Sequence, residues 1–210
     1  MADLAALTQA LVAGDQAEVI NLVQRALTQG LNAHAILNEG LIRGMDQVGA
    51  KMEEGEMFIP EVLQRAHIMS SALEVLKPHL GEGSAAFNGK VVFGTVKGDL
   101  HDIGKNLVIL MMRSSGFNVV DLGVDVTAQA FVEAAKKHGA DIVALSALLT
   151  TTMAVMDKTV AALKAEGLKD RVKVIIGGAP VSQKFADQIG ADGYAADAGS
   201  ACKLAKSLLS

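Results

Sequence analysis

Residues 99–104 read Asp-Leu-His-Asp-Ile-Gly and directly follow an apolar run at 91–96. A histidine two residues from a carboxylate can be oriented by it, held in one tautomer and made more basic. That suits either a metal ligand or a proton relay. Three familiar chemistries fail on spacing. A phosphate-binding P-loop needs four residues between its glycines and then Lys-Ser/Thr; here Gly98 and Gly104 are separated by five, and Asn106 stands where the hydroxyl belongs. A dinucleotide fingerprint needs glycines where Leu100, His101 and Ile103 stand. Zinc takes three or four side-chain ligands, yet the other histidines are scattered at 34, 67, 79 and 138. A nucleophile, base and acid could be assembled from Asp99, His101 and a hydroxyl of Ser146, Thr150, Thr151 or Thr152, but no Gly-x-Ser-x-Gly elbow is present. Spacing alone leaves ligand, relay and solvent-facing loop residue open for His101.

The elements that must hold this loop are legible from periodicity. After Gly89, short β-branched runs at 90–95, 118–122, 142–146 and 172–176, and a short candidate strand at 193–195, alternate with helical stretches near 103–115, 127–138, 152–166, 181–189 and 199–209. Strands buried on both faces and joined by helices predict a doubly wound parallel sheet. In such sheets ligands sit beyond the carboxyl ends of the strands, at the switch point in strand order. The loops after the first, third and fourth strands, at 98–104, 146–152 and 177–180, then open on one edge.

Before residue 81 the apolar spacing is helical instead. Four helices are expected near 3–13, 16–29, 32–53 and 59–79, with Gly14, Gly30 and Gly55 at their ends and Pro60 in the first turn of the last. The stretch 81–89 is small and polar, which is linker composition. The expected division is a helical domain at 1–80, a linker at 81–89 and an α/β domain at 90–210.

Composition narrows the class. Of 210 residues half are apolar and a fifth charged, with a formal net charge of −4. No Lys/Arg cluster offers a phosphate-binding surface, so nucleic acid is not an expected partner; Lys136 and Lys137 read as a solvated helix face. A single cysteine, Cys202, read as a buried helix residue, allows no intramolecular disulfide framework and fits a reducing cytoplasm. No basic leader and no apolar run of bilayer length is present, so neither secretion nor membrane insertion is expected.

Asp99-Leu-His101-Asp102-Ile103-Gly104, followed by Ser146-Ala-Leu148 and Gly177-Gly178, resembles the corrinoid-binding module of cobalamin-dependent methyltransferases. Upstream, Gly44-Met-Asp-Gln-Val-Gly49 and Gly55-Glu-Met-Phe-Ile-Pro60 resemble the signature of the helical cap beside that module in methionine synthase. The same cap occurs in the small corrinoid proteins of methanol, methylamine and methoxyarene metabolism. The resemblance covers residues 5–208. It implies a Rossmann-like, flavodoxin-like five-stranded α/β domain preceded by a four-helix-bundle cap. It also implies cobalamin or a related corrinoid, bound with its own base off and a protein histidine on. The family's cobalt ligand falls on His101 and the carboxylate that hydrogen-bonds it on Asp99. The third relay member, usually a serine, falls on Thr152, which keeps the hydroxyl and adds a methyl. The motif also assigns Gly98, Asp102, Ile103 and Gly104 to the cofactor. Ser146, Leu148, Thr150, Gly177, Gly178 and Ala198 match positions lining the pocket for the nucleotide tail. Met52 and Ile59, with Phe58 close by, match the cap residues over the ring.

A corrin already gives cobalt four equatorial nitrogens, so one histidine suffices as protein ligand. The resemblance therefore implies a methyl carrier rather than a complete enzyme. Cobalt(I) would take a methyl group from a substrate-specific methyltransferase, and methyl-cobalt(III) would give it to a second one that uses coenzyme M or tetrahydrofolate. A reductive activase would be a further partner. Two other readings share the module. A mutase small subunit normally lacks the helical cap, and a cobalamin sensor would need a separate output partner.

Overall fold

In a computed structural model of the protein, residues 3–80 and 88–210 are described, so most of the stretch expected to be a linker lies outside them. The described residues divide into a helical unit in the N-terminal part and an α/β unit in the C-terminal part. Each has its own core.

In the helical unit, α1 (Leu4–Ala13) and α2 (Gln16–Thr28) start at Asp3 and Asp15, whose carboxylates accept first-turn amides. Gly14 ends α1 at φ +85°. Arg65, buried and with no carboxylate partner among the described residues, donates to Val12 O at 3.1 Å and Ala13 O at 3.0 Å, so a cation meets the carbonyl end of α1. The helix expected at 32–53 is not uniform. α3 (Ala33–Ala35) runs into a π-helical segment, Ile36–Ile42, and then α4 (Arg43–Glu53). A Cβ at Gly40 would lie 2.6 Å from Leu7 Cδ2, and Thr8 Oγ1 donates to Gly40 O at 2.9 Å. The wide turn thus hands a carbonyl to α1, a tertiary effect that side-chain periodicity does not encode. α5 (Ile59–Leu76) begins with Glu61 accepting the Phe58 amide and ends three residues earlier than expected. Pro78 cannot donate, and the chain tightens into a 3₁₀ turn at Lys77–His79.

In the α/β unit, β1 (Lys90–Thr95), β2 (Asn118–Asp121), β3 (Ile142–Ser146), β4 (Lys173–Gly177) and β5 (Gly193–Ala195) are joined by α6 (Ile103–Ser114), α7 (Ala128–His138), α8 (Met153–Ala165) and α9 (Gln183–Ile189); α10 (Ala198–Leu209) follows β5. Among the described residues the strands form one five-stranded parallel sheet in the order β2-β1-β3-β4-β5. The doubly wound α/β expectation is met, and strand order reverses between β1 and β3. After Lys90 every β1 residue is buried, as a central parallel strand requires. Val92, Val143, Leu145, Val174 and Ile176 form a core with Phe131 and Val132 of α7 and Met156, Val160 and Leu163 of α8. At about 25 cal/mol per Å² of apolar surface, such side chains contribute roughly 1.5–3 kcal/mol each. Gly94 lets Phe131 reach the sheet: an added Cβ would sit 3.0 Å from its ring. Cys202 is buried on α10.

Candidate functional site

β1 and β3 pair in register, Thr95 opposite Ser146. Their following loops therefore emerge side by side at the switch point. Asp99, in the β1–α6 loop, is completely buried. Its Oδ1 accepts the His101 amide at 3.1 Å and lies 2.7 Å from His101 Nδ1. Its Oδ2 accepts the amides of Leu148 at 2.7 Å and Leu149 at 3.1 Å, and Thr152 Oγ1 stands 3.0 Å away. Burial alone would raise the carboxyl's pKa. Donation from the His101 ring and from the Leu148, His101 and Leu149 amides overcomes it and holds Asp99 well below the usual carboxylate range.

An ionised carboxylate accepts only. His101 Nδ1 therefore carries a proton, and in the neutral ring it is Nε2 that presents a lone pair. The His101 side chain is 53% exposed, so that nitrogen is available to an incoming ligand. Thr95 Oγ1 donates to His101 O at 2.9 Å, fixing the backbone behind the ring. Thr152 has one hydroxyl hydrogen and two acceptors in range, Asp99 Oδ2 and Leu149 O at 2.8 Å. It can donate to the carboxylate or turn from it without leaving its place.

The two loops that hold Asp99 and His101 also expose apolar side chains: Leu100 at 71%, Ile103 at 85%, and Leu148 and Leu149 at just over 40%. Clustered exposed apolar side chains mark a surface that a ligand or partner can cover. The Asp102 carbonyl accepts the Asn106 backbone N–H in the first turn of α6, and its carboxylate accepts the Asn106 side-chain amide. Gly104, in the first turn of α6, is exposed, and an added Cβ there would meet nothing within 4 Å. Gly98 takes φ +85°. At the edge of the same loops, Ser146 is half-buried and Thr150 exposed. Gly178 has φ +127°, and a Cβ there would stand 1.9 Å from Ala147 O; at Gly177 it would stand 3.0 Å from Ala195 O. Ala198 is buried at the start of α10.

The structure thus brings Asp99, His101 and Thr152 into contact and gathers Gly98, Ile103, Gly104 and Leu148 near them. Met52, Phe58 and Ile59 belong to the helical unit, where Met52 is half-buried on α4 while Phe58 and Ile59 are 69% and 50% exposed at the entry to α5. Sequence reasoning passed over three contributors. The Leu148 and Leu149 amides carry no side-chain signal. Lys105 looks like a surface lysine, yet its side chain is 2% exposed and its Nζ lies 2.7 Å from both Asp121 Oδ1 and Asn106 Oδ1. Asp121 is held below the ordinary carboxylate range: burial opposes this, and Lys105 with the Gly123 amide outweighs it. Asp125, in the turn after β2, accepts the Gly98 amide. Among the described residues no three His, Cys, Asp or Glu side chains gather as a metal-ligand set. A metal held by His101 would have to bring most of its own ligands.

Comparison with known proteins fits this geometry. Residues 89–203 match a family model described as a B12 binding domain, and residues 4–77 match a second model of the same description. Dimethylamine corrinoid protein 1 of Methanosarcina acetivorans is 46% identical over 192 residues, covering 91% of this chain and 90% of that protein. The crystal structure of a cobalamin-binding protein from Desulfitobacterium hafniense matches with a TM-score of 0.87 at 36% identity, over 99% of both chains. The methanol:cobalamin methyltransferase complex of Methanosarcina barkeri matches with a TM-score of 0.83 at 32% identity, over 97% of this chain and 78% of that one. The chain therefore belongs to the B12-binding corrinoid proteins of methyltransferase systems.

Proposed function

We propose that this chain is a methyl carrier in which His101 is the lower axial ligand of a corrinoid bound with its own base displaced. One observation carries the reading: a fully buried carboxylate holds His101 by Nδ1 and leaves Nε2 for a metal. The residues present fit such a group. One imidazole is the donor set that a macrocycle with four nitrogens of its own requires, and Leu100, Ile103, Leu148 and Leu149 supply an apolar bed. Gly104 adds an opening that no side chain among the described residues fills.

A bound corrinoid would supply cobalt able to accept a methyl group from one partner and release it to another. The chain's own residues bind, orient and adjust. Asp99 keeps the ring in the Nε2-ligating tautomer. With Nε2 free of a metal the imidazole would have a lone pair able to take a proton, and an ionised Asp99 would stabilise the resulting imidazolium. Thr152 can add its hydroxyl to Asp99 Oδ2 or withdraw it to Leu149 O. Gly98, Asp102, Ser146, Leu148, Thr150, Gly177, Gly178 and Ala198 complete the cofactor surface in this reading. Met52 and Ile59 serve in a cap domain, residues 1–80, that the linker at 81–89 joins to residues 90–210.

The partners are a substrate-specific methyltransferase, a second methyltransferase acting on coenzyme M or tetrahydrofolate, and a reductive activase, in a cytoplasmic setting. No helix of the described residues is long and apolar enough to cross a membrane. The dimethylamine relative supports methylamines as the first donors to test and the methanol complex supports methanol as the second. The deciding experiment reconstitutes the chain and its His101→Ala variant with methylcobalamin and compares their visible spectra. It then follows methyl transfer from each donor with the cognate methyltransferase. Identical spectra would remove His101 as the ligand, and failure to bind any corrinoid would end the proposal.

A further inference from the structure

We infer that Asp125 is a positioning residue that sets the Asp99–His101 pair from the turn after β2; this rests on reading His101 as the axial ligand. Asp125 has φ +56°, and among the described residues it is the one non-glycine with positive φ. The left-handed conformation disfavours an L-residue, although Asp tolerates it better than most. Such a conformation persists where surrounding contacts over-determine it.

Those contacts all lead to the loop that carries Asp99. Asp125 Oδ1 accepts the Gly98 amide at 2.7 Å, and the Asp125 amide donates to Asp99 O at 3.1 Å. One side chain and one backbone group therefore bracket residues 98 and 99. They fix the peptide planes on both sides of the segment from which the Asp99 carboxyl projects. The bracket is itself anchored. Thr95 N donates to Gly123 O and Val126 N donates to Thr95 O, both at 3.0 Å, so the turn after β2 runs as a splint beside the end of β1. Asp121 closes the base of that turn through the Gly123 amide at 2.9 Å and ties it to Lys105 of α6.

Asp125 is exposed, so core packing does not explain its conformation. Its recorded hydrogen bonds go to Gly98 and Asp99 and not to the imidazole. It acts on His101 only through Asp99. A rotation of the Gly98–Asp99 backbone would swing Asp99 Oδ1 away from Nδ1 while leaving the residues themselves unchanged. Because a charge-assisted bond to an amide is worth about tenfold in an equilibrium, losing the bracket should be readable in how firmly the ring is presented.

The test compares Asp125→Gly and Asp125→Asn with the parent in the full chain. Glycine accepts φ +56° freely but removes the acceptor for Gly98, so it tests the bond without imposing strain. Asparagine keeps both the conformation and the acceptor. Each protein is reconstituted with methylcobalamin, and the ratio of histidine-ligated to unligated cofactor is read from visible absorbance. Asp125→Gly should shift that ratio about tenfold toward the unligated form, whereas Asp125→Asn, which keeps an acceptor but not its charge, should shift it less than about threefold. In an Asp99→Asn background the glycine substitution should add less than about a twofold change, since its effect runs through Asp99.

In the apoprotein, hydrogen exchange at the Gly98 and His101 amides should speed up in Asp125→Gly and not in Asp125→Asn. A fall in apoprotein melting temperature with unchanged ligation and unchanged exchange at His101 would overturn the proposal and leave Asp125 a turn residue. His101→Ala separates the two failures. If its spectrum equals the parent's, the ligand assignment falls and takes this proposal with it. If its spectrum differs while Asp125→Gly matches the parent, only the positioning role falls.

Discussion

Gly104→Ala should move folding and binding in opposite directions. Gly104 lies in the first turn of α6 with an ordinary negative φ, and the added Cβ would meet nothing within 4 Å. Inside the chain the substitution therefore adds no clash and removes the entropy that glycine loses on folding. Helix propensity and unfolded-state restriction together give the apoprotein about 0.5 kcal/mol. With a typical urea slope near 2 kcal/mol per molar, the midpoint should rise by roughly 0.25 M. If the open space beside His101 is the seat of the corrinoid, the same methyl intrudes on it. Overpacking of a close contact costs about 1–3 kcal/mol, or roughly 5- to 150-fold in Kd. Urea titration of the apoprotein and equilibrium titration with methylcobalamin measure the two effects on one preparation. A stabilised variant that binds within twofold of the parent would refute the placement of the cofactor over Gly104. A destabilised apoprotein would refute the local geometry from which the argument starts.

Other substitutions test the remaining contacts. Gly178→Ala should lower apoprotein stability by about 3 kcal/mol or more, because it combines a φ of +127° with a Cβ driven 1.9 Å from Ala147 O, a backbone atom that cannot turn aside; a urea midpoint equal to the parent's would contradict the close approach. Asp99→Asn should cost roughly 2–4 kcal/mol at neutral pH, since an amide cannot accept from all the donors gathered there. Asp99 is more acidic folded than unfolded, so its contribution is present above the ordinary carboxylate pKa near 4 and is lost as pH falls below it. Urea midpoints between pH 5 and 3 should therefore drop more steeply for the parent than for Asp99→Asn, and parallel curves would refute the assignment. Thr152→Val should cost about 1–2 kcal/mol and Thr152→Ser less than about 1. Equal melting curves for the two would show that the hydroxyl is not engaged.

Much of this arrangement is written in side chains and was readable from them. The β1 and β3 boundaries follow from β-branched runs, and Asp99 and His101 sit two residues apart on a loop whose place after a central strand the periodicity predicts. β2 stops one residue early because Asp121 turns its carboxylate back onto the Gly123 amide. α9 begins later than expected because Ser182 caps it. What escaped has a common cause, in that it depends on backbone groups or on where a side chain is carried. The Leu148 and Leu149 amides both donate to Asp99 Oδ2, and a leucine at either position announces nothing of it. Lys105 reads as solvated because burial of a lysine is decided by an acceptor sixteen residues away. The glycines differ in a way that sequence does not show. Gly178 is demanded by the approach of Ala147, whatever binds nearby, whereas the chain itself gives Gly104 no reason to be glycine.

The division of Asp99 between two loops bears on transplantation. One oxygen serves the loop of its own strand and the other serves the loop after β3. Grafting the six residues 99–104 alone onto another open α/β sheet would carry over a histidine with half of its support. The carboxyl would be buried against amides not aimed at it, and its acidity, and with it the tautomer of the ring, would be lost. The portable unit is therefore the adjacent strands β1 and β3 with both of their exits, together with the turn after β2 whose Asp125 brackets residues 98 and 99, so an engineer building a histidine-ligated macrocycle site should move all three loops together.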